Sequence, residues 1–267
     1  MLAAGLSAWI TYALPTAQVE SWGWRVAFLF GLLIGPIGVY IRRHTPETPE
    51  FLTMQAEAPA ALQARSPLRD TLTQGLPGLL LGAGVVVAVT AFNYVQKVYM
   101  PTYAINQLHI ATSASLVCTM ITGAMLMVMA PAFGLMADRF GSIRVVSIAM
   151  VVIALSTYPM FATLVAHPTF WTLLVMQAIV GVLLAAILAP LPALLADIFP
   201  TRTRGTGLAL SYNLSVTIFG GFSPLIVTWL IGVTHIKTSP SFYVFATTLI
   251  SLASLWMLRG RARADRT

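Results

Sequence analysis

Residues 168–233 have the sequence PTFWTLLVMQAIVGVLLAAILAPLPALLADIFPTRTRGTGLALSYNLSVTIFGGFSPLIVTWLIGV. The stretches 168–196 and 205–233 contain no Asp, Glu, Lys or Arg. Each is long enough to cross ~30 Å of hydrocarbon as a helix, which takes about 20 residues. The loop between them carries two arginines, Arg202 and Arg204. This pattern predicts two membrane-spanning helices joined by a short basic loop.

The rest of the chain continues the same pattern. Hydrophobic residues make up 58% of the sequence and charged residues only 9%, against about 25% charged in a soluble domain. We therefore expect an all-α polytopic membrane protein with eight transmembrane spans. The predicted runs are 1–14, 24–41, 76–95, 110–137, 145–165, 168–196, 205–233 and 238–258.

The basic residues alternate between the two sides of such a topology. Twelve of the fifteen Lys and Arg residues lie in alternate connections between the predicted runs or in the C-terminal tail, and only Arg25, Lys97 and Lys237 do not. This is the positive-inside pattern, and it predicts a bacterial inner-membrane protein with both ends in the cytoplasm. It also explains the net charge of +7 without a nucleic-acid partner. The arginines on the predicted cytoplasmic side are Arg42, Arg43, Arg65, Arg69, Arg139, Arg144, Arg202, Arg204, Arg259, Arg261, Arg263 and Arg266.

Two features at the start of the chain set the expected domains. The run 1–14 reaches only about 21 Å as a helix, so we interpret it as the latter part of a helix and expect a truncated chain. The polar connection 42–74 is expected to be a cytoplasmic linker, with a surface helix around 47–64. The predicted division is a two-span remnant of an N-terminal bundle (1–41), this linker, and a C-terminal six-helix bundle with a basic tail (75–267).

Five short motifs carry a resemblance to a known family. They are GWR at 23–25, a basic pair at 42–43 followed by ETPEF at 47–51, MPTY at 100–103, GLMADRFG at 134–141, and DIFPTRTR at 197–204 followed by TGLA at 206–209. In this order, within eight spans, they resemble the metabolite:proton symporters of the major facilitator superfamily. The resemblance implies that the chain corresponds to helices five to twelve of a twelve-helix transporter, with helices one to four absent.

The function implied is secondary active transport by alternating access. We expect proton symport of a small carboxylate or a compatible solute, with the small molecule, protons and the lipid bilayer as partners. Because one wall of the transporter would be missing, the chain alone is expected not to transport. The alternative is a non-transporting membrane scaffold, or a half-transporter subunit that needs a partner with the missing helices.

A cytoplasmic gate is expected where two loops meet the membrane. Gly134, Asp138, Arg139 and Gly141 match the superfamily signature, with Ser142 where a basic residue is expected and Arg144 as its substitute. Carboxylate and guanidinium groups beside glycine suit an ion pair that breaks and reforms. The alternative is a solvated turn. Asp197 and Arg204 make a second such cluster, with a plain positive-inside loop as the alternative.

A polar stripe in the third run is the candidate substrate site. Thr90, Asn93, Tyr94, Lys97 and Pro101 recur at helical spacing and should face the bundle interior or a water-filled cavity. The Lys97 ammonium could pair with an anionic substrate. The alternative is a lysine at the outer helix end that snorkels to the interface, which its place beyond the twentieth residue of the run favours.

Further polar residues lie in the later spans. Gln177, Tyr212 and Asn213 are substrate-binding candidates, with interhelical hydrogen bonding as the alternative for these and for Ser215. Gly220, Gly221 and Pro224 should interrupt the seventh run, as broken transporter helices do near a midplane site. Pro190 and Pro192 should do the same in the sixth run.

The sequence contains no motif for chemistry. No nucleophile with a base, HExxH motif, carboxylate pair or phosphate loop is present, so we expect neither enzyme activity nor a cofactor, a metal or catalytic residues. Every Asp and Glu lies in a loop or at a span edge, so the proton-carrying residue is not evident. The lone Cys118 is expected to be a small buried hydrophobe.

Overall fold

The computed structural model describes residues 2–32, 34–44, 67–73 and 75–264, and every regular element in these ranges is a helix. The predicted helix around 47–64, the ETPEF motif, Arg65 and Arg266 lie outside the described residues. The helices are α1 (Leu2–Ala13), α2 (Val19–His44), α3 (Pro67–Thr73), α4 (Leu76–Leu108), α5 (Thr112–Phe140), α6 (Ser142–Ala166), α7 (Phe170–Ala196), α8 (Arg204–Thr234) and α9 (Pro240–Ala264).

Seven of these helices, α2 and α4 to α9, are long and apolar enough to cross a membrane. They correspond to seven of the eight predicted runs, so the prediction of an all-α, multi-pass membrane protein is confirmed. The first run forms α1, which has 12 described residues and is shorter than a span. α1 packs along α5, where a Cβ atom added to Gly5 would lie 3.2 Å from the Cε atom of Met120.

One predicted boundary is wrong by four turns. The third run was expected to end at residue 95, but α4 continues to Leu108. The polar residues after Phe92 lower the local hydropathy, and Pro101 suggests a helix end. The helix continues because its register changes to a π-helical turn at Tyr94–Tyr99, after which Met100–Leu108 is α-helical again. The π-helical register accommodates the proline without ending the helix.

Among α4 to α9, α4 has the most buried apolar window, and α8 and α9 pack along it. Small residues and serines make these contacts. The Ser211 and Ser215 hydroxyls of α8 donate to the carbonyls of Leu79 (3.2 Å) and Ala83 (2.7 Å). From α9, Ser251 donates to the carbonyl of Gly84 (2.6 Å). Because lipid provides no hydrophobic drive for helices to associate, close approach and such hydrogen bonds hold the bundle together.

The other half of the bundle centres on α7, which packs closely against α5. A Cβ atom added to Gly181 of α7 would lie 2.6 Å from both the Thr122 carbonyl oxygen and the Met125 Cβ atom of α5. Large apolar side chains fill the space around this contact. The largest that are fully buried include Phe92, Tyr103, Met150, Phe161, Leu173 and Leu184.

The α5–α7 contact leads to a stability prediction. Gly181→Ala should destabilise the bundle by about 1–3 kcal/mol, because two helix backbones must separate to admit the methyl group. The matched control is Gly232→Ala in α8, where an added Cβ atom meets nothing within 4 Å. This control should leave stability unchanged or raise it by up to about 1 kcal/mol. Thermal unfolding of the purified variants in detergent measures both, and equal midpoints would contradict the packing described.

Candidate functional site

The centre of the candidate site is the π-helical turn Tyr94–Tyr99 in α4. In an α-helix the ring of Pro101 would clash with the carbonyl of the residue four positions earlier, which is Lys97. The wider π-helical turn moves that carbonyl away from the ring. Single-turn π bulges are frequent at functional sites. This turn gives the residues around Lys97 an orientation that a regular helix would not.

α8 contains a matching feature beside it. The turn Val216–Gly221 is π-helical, so the interruption expected near Gly220, Gly221 and Pro224 takes the form of a π-helical turn and not of a chain break. A Cβ atom added to Gly220 would lie 2.5 Å from Thr90 Cγ2 and 3.0 Å from the Tyr94 ring. Glycine is therefore needed at position 220 for the π-helical turn of α8 to contact α4.

The predicted polar stripe of α4 divides into a buried and an accessible part. Thr90 is buried against Gly220. Asn93, Tyr94, Lys97 and Pro101 are only partly buried, in a helix whose most apolar window is 72% buried. The accessible residues form one edge of α4 that the other described helices leave uncovered.

Lys97 does not lie at the end of its helix. Leu108 lies eleven positions after Lys97, which corresponds to about 16 Å along the axis. Lys97 is also 21 positions, or ~32 Å, from the start of α4 at Leu76, so the interface-snorkelling alternative, which rests on this depth, stays open. Beyond Lys97, α4 is attached to the α8–α9 loop, because the Tyr103 hydroxyl donates to the Lys237 carbonyl at 2.7 Å.

The other substrate-binding candidates do not join this edge. Gln177 of α7 is 1% exposed, and its Nε2 atom donates to the backbone carbonyl of Gln96 at 3.1 Å. Tyr212 and Asn213 are exposed on α8, and Asn213 Nδ2 donates to the Ala209 carbonyl of its own helix at 2.8 Å. The structure therefore brings together Asn93, Tyr94 and Lys97 and separates Gln177 from them.

The predicted gate residues lie at the end of the bundle that carries the α5–α6 and α7–α8 loops, here called the arginine end. Asp138, Arg139 and Arg144 are exposed. Gly141 has φ +89°, a left-handed conformation that favours glycine, and makes the turn between α5 and α6. A Cβ atom added to Gly134 would meet nothing within 4 Å, so close helix approach at this glycine is absent from the described structure.

The second predicted gate cluster was Asp197 with Arg204, but the ion pair in this region joins other residues. The structure records no ion pair between Asp197 and Arg204, and Asp197 is exposed. Arg202 instead forms an ion pair with Asp70 of α3, with side-chain exposures of 26% and 13%. This pair lies in a cleft of about 430 Å³ between the start of α4 and the α7–α8 loop. Sequence analysis missed it because the two residues are 132 positions apart and no pattern connects them.

Buried acidic groups are absent from the part of the chain that the structure describes. Glu20, Asp138 and Asp197 are exposed and Asp70 is partly buried. Among the same residues no group of three or more His, Cys, Asp or Glu could hold a metal ion. The polar edge of α4 can thus supply an ammonium, an amide and a phenol to a solute, but no carboxylate.

Comparisons with known proteins agree with this architecture. A sequence model of the Major Facilitator Superfamily matches residues 85–267. The "Citrate-proton symporter" of Klebsiella pneumoniae is 34% identical over 273 residues, covering 100% of this chain and 59% of that protein. The "Ectoine/proline transporter ProP" of Corynebacterium glutamicum is 28% identical, covering 94% of this chain and 52% of that protein. A "Putative proline/betaine transporter" of Staphylococcus aureus is 32% identical, covering 93% and 53%.

Among solved structures, the D-xylose-proton symporter superposes with a TM-score of 0.70 at 18% identity, covering 96% of this chain and 59% of that one. The chain therefore spans between half and three-fifths of the length of these proteins. All of them are named as transporters or symporters, which are not enzymes, so the prediction that the chain is not an enzyme is confirmed.

The ion pair at the arginine end leads to a second prediction. Asp70→Asn and Arg202→Gln should each lower the unfolding midpoint. The double variant should lower it by less than the sum of the two single effects. We expect a coupling of about 1 kcal/mol, because both side chains are partly shielded from water. The control is the same double-mutant cycle at Asp197 and Arg204, which should give no interaction free energy between the two positions. Equal coupling in both cycles would contradict the assignment.

Proposed function

The chain belongs to the Major Facilitator Superfamily, and from this we propose that it is part of a secondary active transporter that moves a small solute together with protons. The observation that supports the proposal most directly is the polar edge of α4. Asn93, Tyr94 and Lys97 remain partly accessible in a helix whose most apolar window is 72% buried. Polar and ionisable residues inside membrane spans generally mark the path of a substrate or ion.

Lys97 supplies the chemistry for recognising the solute. An ammonium group within a span costs free energy unless it faces water or an opposite charge. The relatives are named for citrate, ectoine, proline and betaine, and each of these solutes carries at least one carboxylate. We propose that Lys97 pairs with the substrate carboxylate, while Asn93 and Tyr94 donate hydrogen bonds to it. The substrate class is a small carboxylate or a carboxylate-bearing zwitterion.

Transport would proceed by movement between two groups of helices. Residues 75–267 would form one six-helix bundle, 1–41 would belong to the other, and 42–74 would connect them. Substrate would bind between the bundles beside α4, and their rocking would expose the site to one side at a time. The contact of α1 with α5 supports an arrangement in which the two groups meet along α5.

The arginine end would face the cytoplasm of a bacterial cell, with both ends of the chain on that side, because basic loops favour the inner face. Asp138, Arg139 and Arg144 would form a gate there with charged groups of the opposite bundle. Asp70 and Arg202 would add a contact within the same end. Such ion pairs can be made in one transport state and broken in the other.

The test of the proposed function is substrate uptake by cells that express the chromosomal gene, so that any helices encoded before residue 1 are included, with radiolabelled citrate and proline as probes. Lys97→Gln should raise KM for the transported probe roughly 10- to 100-fold, because the carboxylate loses a charge-assisted partner. Lys97→Arg should keep part of the affinity. Lys237→Gln is the control and should leave KM unchanged, since Lys237 Nζ donates to the Gln107 carbonyl at 3.0 Å, outside the α4 edge.

Three results would contradict the proposal. If wild-type cells take up neither probe above cells without the gene, the proposed substrate class is wrong. If a probe is transported with the same KM by the wild type and by Lys97→Gln, Lys97 does not bind the carboxylate. Transport that is independent of the pH gradient would contradict coupling to protons.

A further inference from the structure

The π-helical turns of α4 and α8 share a feature beyond their register. In α4 the residue five positions after Gln96 is Pro101, and in α8 the residue five positions after Phe219 is Pro224. A π-helical carbonyl accepts from the N–H five residues later. Proline has no N–H, so neither carbonyl has this backbone donor. Both carbonyls lie within membrane-spanning helices, where a polar group without a hydrogen-bond partner is costly.

A side chain from another helix supplies the donor in each case. Gln177 of α7 donates from Nε2 to the Gln96 carbonyl at 3.1 Å. Tyr243 of α9 donates from its hydroxyl to the Phe219 carbonyl at 2.7 Å. The Ser223 hydroxyl of α8 also donates to the Phe219 carbonyl. The same solution therefore occurs twice, with different residue types from different helices.

The two capped turns are offset along α4 and α8 and meet at Tyr94 and Gly220. Tyr94–Tyr99 packs on the segment Ser223–Thr234 of α8, where the Thr228 hydroxyl donates to the Tyr99 hydroxyl at 3.3 Å. Gly220, one residue after Phe219, contacts Thr90 and Tyr94. Lys97 is the residue directly after the capped Gln96 carbonyl. The position of the Lys97 side chain thus depends on the turn that Gln177 caps.

We propose that Gln177 and Tyr243 are positioning residues, each of which caps a carbonyl left without a donor by a proline and so holds the π-helical turns that orient Lys97 toward the α4 edge. Gln177 acts through α4 and does not touch the substrate. A third helix orients it, because the Thr122 hydroxyl of α5 donates to the Gln177 backbone carbonyl at 3.0 Å. The inference rests on the proposed function only where it concerns substrate affinity.

Proline removal provides a specific test of capping. Gln177→Met keeps the side-chain length but removes the donor, and it should lower the unfolding midpoint by roughly 2–10 °C. Pro101→Ala restores an N–H at position 101. In the Pro101→Ala background, Gln177→Met should therefore lower the unfolding midpoint far less. The crossed control is Gln177→Met with Pro224→Ala, in which the full loss should remain. An equal loss in the Pro101→Ala background would overturn the proposal.

The α8 turn gives an independent version of the test. Tyr243→Phe removes a single oxygen atom, so it remains informative even if Gln177→Met fails to fold. Tyr243→Phe should lower the unfolding midpoint less than Gln177→Met does, because Ser223 still donates to the Phe219 carbonyl. Pro224→Ala should suppress this loss and Pro101→Ala should not. Suppression by both prolines, or by neither, would contradict capping at this turn.

A spectroscopic measurement separates positioning from simple stabilisation. The chain has two lysines, Lys97 and Lys237, so reductive methylation with ¹³C-formaldehyde gives one dimethyl-lysine NMR signal for each. Lys237→Arg assigns the pair. In folded Gln177→Met protein the Lys97 signal should shift while the Lys237 signal stays. An unchanged Lys97 signal would leave Gln177 a structural role only and overturn its role in positioning.

Neither measurement requires transport. Failure of wild-type uptake would therefore contradict the proposed function while the proline cycle and the Lys97 signal still decide this inference. Where uptake is observed, Gln177→Met should raise KM more than it lowers kcat, because the substrate partner is displaced. A fall in kcat alone would contradict the inference.

Discussion

In a membrane-spanning helix every backbone carbonyl needs a donor from within the protein, because hydrocarbon offers none. This constraint governs the centre of the structure. Pro101 and Pro224 each remove a donor from a helix that continues past them. The chain responds by widening one turn in each helix and by bringing a donor from α7 or α9. The position of these prolines thus determines where α4 and α8 depart from regular geometry.

The same constraint bears on how α4 is joined to its neighbours at its two ends. Below the π-helical turns, toward the arginine end, α4 is joined to α8 and α9 by serine hydroxyls that donate to the backbone of α4. At the turns, α8 contacts α4 through Gly220 and through the Thr228 hydroxyl, which donates to the Tyr99 hydroxyl at 3.3 Å. Fewer hydrogen bonds therefore join α4 to α8 at the turns, where Lys97 lies, than toward the arginine end.

The sequence was sufficient to predict the helical class and most spans, because the length of apolar runs and the alternation of arginines follow directly from the bilayer. It also predicted that Asn93, Tyr94 and Lys97 share one polar face, and their role in substrate binding stays a prediction. It failed at the end of the third run, because a π-helical turn lets a helix continue past a proline. It placed Gln177 among the substrate contacts, since a buried glutamine bonded to a carbonyl and one that faces a cavity look alike in sequence. The Asp70–Arg202 ion pair depends on folding across 132 positions and has no local signal.

In the proposed transporter, the edge of α4 that carries Asn93, Tyr94 and Lys97 lines a water-accessible path. Cysteine accessibility in membranes tests it most directly, because the chain has one native cysteine, the buried Cys118, which serine can replace. Single cysteines at positions 94 and 97 should react with a charged, water-soluble thiol reagent at least about tenfold faster than a cysteine at the exposed apolar position Ile148. Equal, slow reaction at all three positions would mean that this edge faces lipid or protein and would contradict the account.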